Sequence, residues 1–362
     1  MLTSIIYLLS QNPGMKAAKI AKELGVSRKE VNQLLYTKPE LFLQNRDNFD
    51  WSMQSNASFE LKLNSGRTWF TQLDFEKALK EQGSPLDSPL SNVKLSITGG
   101  TQLLLCSAAR VLCLSNQIVA SKKTVILDFT GNESTLSYLN RACFFARLSP
   151  EIQVLPYRPD NATSELYKAN NISLVELLAI DTKENVPERI KHSFIEVFGD
   201  NDANKLFTIV AEMVGNVEEH SATQIPGFAG LQCYTRKNKQ KSVIVVISDS
   251  GRGICATLRP GLIEHFPKIA KQFHPDKPDS DPKLILHAMK NSGLSRTGRG
   301  RGAGLNTSRE KAKMLNAKIT IRQKNFSVHL KFKDGELEKE YWENDLPTLV
   351  GTHVVCEFSL TI

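Results

Sequence analysis

Hydrophobic and polar positions follow different patterns along the chain, and each pattern predicts a separate unit. In residues 1–55, three short stretches with helical spacing precede two strand-like runs around a polar turn. A connecting segment is predicted at 56–90, which contains the Pro- and Ser-rich sequence GSPLDSPLSN. Residues 91–160 alternate strand-like and helical stretches as βαβαβ, which predicts a small parallel or mixed sheet. Helical stretches and apolar strands also occur in residues 161–362, so the chain is predicted to be an α/β multidomain protein.

The third predicted helix of the N-terminal unit has an apolar side and a polar side. Ser27 is placed as its N-cap, and the apolar side packs inward through Val31, Leu34 and Leu35. The outward side carries groups that can contact a nucleic acid, and these are Arg28, Lys29, Asn32, Gln33 and Tyr36.

This stretch resembles winged helices and, more narrowly, the Z-alpha domain of the RNA-editing adenosine deaminase. The recognition helix of that domain reads Lys-x-x-x-Asn-x-x-x-Tyr, and its wing carries a Trp. Arg28, Asn32, Tyr36 and Trp51 match this pattern with Arg in place of Lys, although the pair of prolines in the wing is absent here. The resemblance implies a nucleic-acid partner. It leaves open whether the Z form is preferred and whether the unit binds a protein instead, because residues 1–50 carry only seven basic against five acidic residues.

The middle unit, residues 91–160, resembles the STAS-like fold of anti-sigma-factor antagonists by its βαβαβ pattern. In that family a phosphorylatable Ser or Thr follows the Asp of the central strand, and Asp128, Ser134 and Thr135 lie at similar positions. An ordinary turn that caps the next helix explains the same residues, and this second interpretation is the one we favour.

Three short motifs follow one another in the C-terminal unit. The first is Glu212-x3-Asn216-x3-His220, within a helical stretch. The second is Asp249-Ser-Gly-Arg-Gly, directly after the apolar run SVIVVIS. The third is an alternating glycine stretch that begins at Gly298 and opens another helix. A solvated helix face, a turn and a basic loop for nucleic-acid phosphates would each explain one motif, but the ordered set favours a nucleotide site.

The chemistry of each motif suits that interpretation. Glu212, Asn216 and His220 advance by four residues and therefore share one helical stripe, where a carboxylate can activate water and an amide oxygen can bind Mg²⁺. The carboxylate of Asp249 can accept a hydrogen bond from an exocyclic amine such as that of adenine. Alternating glycines expose backbone N–H groups before a helix N-terminus, which favours phosphate, and no Walker lysine motif occurs in the chain.

The ordered motifs resemble the N, G1 and G2 boxes of the GHKL superfamily, named for gyrase, the ninety-kilodalton heat-shock chaperone, histidine kinases and the mismatch-repair ATPase. The resemblance covers roughly residues 165–362, and Gly351-Thr352 resembles the family's final Gly-Thr. It implies a Bergerat α/β sandwich that binds ATP and Mg²⁺, and the segment from Asp281 to Leu305 looks most like bacterial stand-alone ATP-binding proteins of the histidine-kinase-like type.

The resemblance also implies roles for single residues. Glu212 would be the general base, Asn216 the Mg²⁺ ligand and Asp249 the reader of adenine. The remaining pocket residues and the glycines of a lid over the phosphates would be His220, Gly251, Gly253, Thr352, Gly300, Gly302 and Gly304.

Composition and charge bear on three other classes: DNA-binding proteins, secreted or membrane proteins, and sensor kinases. The chain has a net charge of +8, and the stretch from Gly293 to Lys324, with nine Lys or Arg and one Glu, has the same net charge by itself. Because a phosphate-binding lid explains this basic stretch as well as DNA does, the positive net charge is weak support for DNA binding. Six cysteines without paired spacing predict a reduced, cytoplasmic protein, and no apolar run approaches a membrane span. None of the seven histidines lies in a phosphoacceptor context, which argues against a sensor kinase.

The sequence therefore predicts an N-terminal winged helix, a small STAS-like domain and a C-terminal GHKL domain. The expected function is an ATP- and Mg²⁺-binding regulator, a slow ATPase whose lid couples nucleotide state to a nucleic-acid or protein partner. Two alternatives stay open: an anti-sigma-type protein kinase acting on a partner or on Ser134 or Thr135, and a DNA-binding regulator for which ATP is only a ligand. The oligomeric state is left open.

Overall fold

The structure is a computed structural model, and it describes the chain in segments. These are residues 1–97, 99–160, 174–181, 185–198, 200–220, 222–235, 241–291 and 304–360.

The N-terminal unit consists of three helices followed by a two-stranded antiparallel hairpin. The helices are Leu2–Gln11, Ala17–Leu24 and Arg28–Thr37, and the strands are Phe42–Gln44 and Trp51–Met53. Ser27 caps the third helix, as predicted. It also forms a capping box with Glu30, because each side chain bonds the backbone N–H of the other. These elements lie where the sequence pattern placed them. Their assignment as a winged helix stays a prediction.

The second unit is built on a four-stranded parallel sheet. In spatial order its strands are Ser58–Lys62, Asn92–Ser96, Thr124–Asp128 and Gln153–Leu155. Its helices are Gln72–Gln82, Leu105–Ala120, Glu133–Arg141 and Phe144–Arg147, and a small parallel pair is formed by Trp69–Phe70 and Gln102–Leu103.

Two features of this unit correct the sequence interpretation. Residues 56–90 are not only a connection, because Ser58–Lys62 forms an edge strand and Gln72–Gln82 packs as a helix beside it. The second helix of the predicted βαβαβ pattern, expected over residues 134–149, breaks at Cys143, whose φ of 56° lies in the left-handed region that helices exclude. The STAS-like assignment of the unit stays a prediction.

The C-terminal unit contains a seven-stranded sheet in which every neighbouring pair is antiparallel. In spatial order its strands are Glu336–Glu343, Ser327–Lys333, Lys318–Arg322, His353–Leu360, Lys241–Ser248, Gly227–Thr235 and Leu174–Ile180. Its helices are Val186–Phe198, Asp200–His220, Ile254–His265, Pro267–Gln272, Ser280–Lys290 and Gly304–Met314.

Both faces of this sheet are covered, and each face belongs to a different hydrophobic core. On one face Val243, Val245 and Ile247 pack with the helices of the C-terminal unit. On the other face Ile244 and Val246 pack with the helix Leu105–Ala120 of the second unit. Residues 243–247 of this strand are all apolar because the strand is buried on both sides. The second unit and the C-terminal unit therefore share the core on this second face.

A buried ion cluster also joins these two units. The carboxylate of Glu76 pairs with Arg110 in the second unit and, at 3.1 Å, with Nε of Arg322 on the seven-stranded sheet. One carboxylate thus faces two guanidinium groups. Removing any one of these side chains would strongly destabilise the folded state, because a buried charge would be left without its partner. His353 lies nearby, and burial together with the charge of Arg110 lowers its pKa to about 3, so its imidazole is neutral.

The cysteines are buried. All six are free thiols. Within the described segments of the chain, no helix is long and apolar enough to cross a membrane.

Candidate functional site

The helix Asp200–His220, here called the site helix, carries the first motif along one edge of its buried face. Met213, Val214 and Val217 pack into the core. Glu212 is half-buried beside them, and Asn216 is exposed one turn later. The backbone of His220 ends the helix, and its side chain is outside the described residues.

Glu212 lies against the start of the helix Gly304–Met314. A Cβ atom added at Gly304 would stand 2.3 Å from Oε2 of Glu212, so a residue larger than glycine would displace the carboxylate. The carboxylate therefore meets backbone at a helix N-terminus, where negative charge is favoured. Gly300 and Gly302, the predicted lid glycines, lie outside the described residues.

Asp249 occupies the turn that follows the strand Lys241–Ser248, and it is 4% exposed. Its Oδ1 accepts the N–H of Gly251 at 2.6 Å, and its own N–H donates to the carbonyl of Thr352 at 2.9 Å. Burial raises the pKa of Asp249, and the hydrogen bonds that its carboxylate accepts from Gly251 and from Thr352 oppose this rise. A carboxylate has about four acceptor sites, so beyond these bonds it can still accept a hydrogen bond from a donor on a ligand.

Gly351 allows the final Gly-Thr segment to approach this turn. Its φ is +95°, and a Cβ there would lie 2.0 Å from the backbone oxygen of Asp249, so only glycine fits. The next residue, Thr352, is half-buried beside Asp249. The structure thus brings Asp249, Gly251 and Thr352 together.

Gly253 is the N-cap of the helix Ile254–His265 and is packed against Gln323. Its φ is +84°, and a Cβ would lie 2.6 Å from Oε1 of Gln323, the same atom that accepts the N–H of Ile254 at 2.9 Å. Gln323 is 3% exposed and was not predicted as a site residue. It follows the strand Lys318–Arg322, whose mixed polar and apolar residues do not distinguish it in the sequence.

The two groupings, Glu212 with Gly304 and Asp249 with Thr352, are held by one core. The site helix and the strand that precedes Asp249 both pack into it, through residues such as Met213 and Ile247. Both groupings are therefore anchored in the core of the C-terminal unit.

The side chains present fit a Mg²⁺ ion that is held mainly by the phosphate oxygens of a bound molecule and by water. In the part of the chain that the structure describes, no group of three His, Cys, Asp or Glu side chains could hold a metal ion alone. Asn216 nevertheless offers an exposed amide oxygen, and Mg²⁺ commonly takes one or two protein ligands and completes its shell with water and phosphate oxygens.

The predicted nucleic-acid residues of the N-terminal unit differ in exposure. Arg28, Lys29 and Tyr36 are exposed and Asn32 is half-buried, as an outward face requires. Trp51 differs from expectation because it is 3% exposed and belongs to the core. Its ring meets that of Tyr36 edge to face, with centroids 4.9 Å apart, so it supports Tyr36 from below instead of flanking it on the surface.

The predicted phosphorylation candidates of the second unit are also in different surroundings. Thr135 is buried, and its hydroxyl donates to the carbonyl of Thr101 at 2.7 Å, which fastens the helix Glu133–Arg141 to the segment that precedes the strand Gln102–Leu103. Ser134 is exposed. Asp128 is half-buried and pairs with Lys94 at 2.7 Å. Thr135 therefore has a structural explanation that Ser134 lacks.

Comparison with known proteins identifies part of the chain. Residues 201–342 match the family described as histidine kinase-, DNA gyrase B-, and HSP90-like ATPase. No curated protein matches. A solved structure that matches is the histidine kinase domain from Erythrobacter litoralis EL346 blue-light activated histidine kinase, with 11% identity, a TM-score of 0.22, and coverage of 69% of this chain and 84% of that one. At so low a TM-score, the domain is identified by the family match alone. Residues 201–342 are a C-terminal ATPase-type domain of the histidine kinase-, gyrase- and heat-shock-chaperone-like, or GHKL, kind.

Proposed function

We propose that this protein binds ATP with Mg²⁺ through its C-terminal domain and hydrolyses it slowly. The observation that carries the proposal is Asp249, a carboxylate buried at a strand end and fixed from both sides by Gly251 and the Gly351-Thr352 segment. The family match over residues 201–342 supports it.

Each residue has a physical role in this proposal. Asp249 accepts a hydrogen bond from the exocyclic amine of adenine, and Thr352 limits the space beside the base. Glu212, next to the backbone of Gly304, orients and deprotonates the attacking water at the phosphate end. Asn216 supplies an amide oxygen to Mg²⁺, which when bound neutralises charge on the phosphate oxygens.

Transfer of the phosphate to a protein is the main alternative, since a kinase of the anti-sigma type fits the same fold family. The exposed Ser134 is an acceptor within this chain that such a reaction could reach, whereas the hydroxyl of Thr135 is buried and bonded. In the third alternative ATP is bound without reaction and serves as a switch.

Incubation of the purified protein with γ-labelled ATP and Mg²⁺ distinguishes these three outcomes. We expect free labelled phosphate to accumulate at a slow rate. Label on the protein that disappears in a Ser134→Ala variant would instead indicate a kinase. Unchanged ATP that nevertheless co-elutes with the protein would indicate a switch, and absence of ATP binding in calorimetry would contradict the proposal as a whole.

We also propose that the outward face of the helix Arg28–Thr37 contacts a partner whose binding is coupled to nucleotide state. The exposed Tyr36 and the cations Arg28 and Lys29 support a nucleic-acid partner. Tyr36 is held in place by Trp51 and by a hydrogen bond from its hydroxyl to Gln44 at 3.1 Å, so its ring is prearranged for a sugar or base.

Duplex binding by the full chain tests this face. Because it offers few cations, we expect weak binding with a log–log salt slope of about −2 to −4. Tyr36→Ala should weaken it several-fold, whereas Tyr7→Ala, which removes an equally exposed tyrosine from the first helix, should not. Inversion of the circular dichroism of an alternating CG duplex would indicate Z-form recognition. If neither CG nor mixed duplexes bind, the partner is a protein.

A further inference from the structure

The helix Leu105–Ala120 of the second unit forms the wall behind the Asp249 turn. Its residue Gln117 is 5% exposed, and its Nε2 donates to Oγ of Ser250 and to the carbonyl of Val350, both at 2.8 Å. Its Oε1 accepts the N–H of Val350 at 3.0 Å. A single amide therefore bonds to two segments that are 100 positions apart in the sequence.

Those two segments are the ones that fix Asp249. Ser250 lies between Asp249 and Gly251, and Val350 directly precedes Gly351. On the other side, the N–H of Asp249 bonds to Thr352. We infer that Gln117 is a positioning residue, which sets the orientation of Asp249 and thereby the recognition of adenine; this inference rests on the proposed function. The second unit thus supplies part of the binding site of the ATPase domain.

The close approach of the two segments explains why Gln117 has this influence. There is no space between Asp249 and Gly351 beyond that of a glycine, so a shift of either segment moves the other. Without the amide of Gln117, the N–H and carbonyl of the half-buried Val350 and the hydroxyl of the buried Ser250 would lose these partners, and the segments would shift to regain hydrogen bonds. Cys113, one turn earlier on the same helix, lies beside Ser248 and Ser250, so this face of the helix runs along the turn.

The neighbouring residue provides a matched control. Asn116 is 8% exposed and carries the same amide group, but it faces the second unit, where Nδ2 donates to the carbonyl of Arg147 at 3.1 Å and Oδ1 accepts the N–H of Ser149 at 2.9 Å. Removal of either amide costs buried hydrogen bonds in the same helix. Only removal of Gln117 affects the Asp249 turn.

The experiment measures ATP and GTP affinity by calorimetry for the full-length parent, Gln117→Met and Asn116→Leu, with thermal unfolding of each. Both substitutions preserve side-chain length and remove the amide. We expect Gln117→Met to raise the Kd for ATP about tenfold and to reduce the preference for ATP over GTP by a similar factor. Asn116→Leu should leave both quantities within about twofold while lowering the unfolding temperature comparably.

The preference for ATP over GTP is the quantity that a merely destabilising change would not alter. An unchanged Kd and preference in Gln117→Met, or equal losses in the two variants, would overturn the inference. A parent protein that binds no ATP would instead contradict the proposed function. If Gln117→Met does not fold, Gln117→Glu keeps an acceptor for the N–H of Val350, and an unaltered preference in that variant would overturn the inference equally.

Discussion

Replacing Glu212 with Ala should abolish most ATP turnover while leaving ATP binding nearly intact. Loss of a general base typically lowers the rate about 10²- to 10⁴-fold, whereas adenine recognition by Asp249 does not involve the site helix. The measurement is steady-state release of phosphate beside the Kd for ATP from calorimetry. A selective loss in rate means that Glu212 acts on the reacting water and not on binding.

Two further variants sharpen this comparison. Glu212→Gln keeps the contact with Gly304 but cannot accept a proton as a carboxylate does, so it should be about as slow as Glu212→Ala. Glu218→Ala removes an exposed carboxylate from the same helix and should hydrolyse ATP at the parental rate. Turnover at the parental rate in Glu212→Ala would mean that another group activates the water, and the assignment of this residue would be wrong.

The parts of the fold that the sequence predicted are those whose information is local. Helix spacing, the Ser27 cap and the apolar strand before Asp249 each follow from residues within one turn or one strand. The strand Ser58–Lys62 was missed because it is short, and its parallel partner, Asn92–Ser96, begins more than thirty residues later. The break at Cys143 was missed because a left-handed residue other than glycine leaves no mark in the apolar pattern.

The candidate site shows the same difference between features that are local in sequence and features that depend on distant residues. The Glu212 and Asp249 motifs were visible because each is contiguous or periodic in sequence. Gln323 and Gln117 were not visible in the sequence, because each contacts the segment from Asp249 to Ile254 from a distant part of the chain. Such contacts become recognisable only when the sheet and the helix behind it are packed together. A buried glutamine within the apolar helix Leu105–Ala120 was a signal that it has hydrogen-bond partners, although it did not say which.

Replacing Asp249 with Asn should weaken ATP binding about ten- to a hundredfold. A charge-assisted hydrogen bond in a buried site contributes about 1.5–3 kcal/mol, and a neutral amide must turn its oxygen toward both Gly251 and the adenine amine to replace the carboxylate. Calorimetry with ATP and GTP measures the effect, and the preference for ATP should fall with the affinity. Asp128→Asn is a matched control, because Asp128 also ends a strand and accepts an N–H two residues later, from Thr130 at 2.9 Å, but lies in the second unit.

The pH dependence of binding provides an independent test of the same residue. Burial raises the pKa of Asp249, so the carboxylate is protonated at a higher pH than an ordinary aspartate. Protonation of Asp249 removes the negative charge that strengthens its hydrogen bond from the adenine amine. The Kd of the parent protein for ATP should therefore rise as the pH falls through that raised pKa, and this titration should be absent in Asp249→Asn. A parental Kd in the Asn variant, or the same acid dependence in both proteins, would mean that a different group recognises adenine.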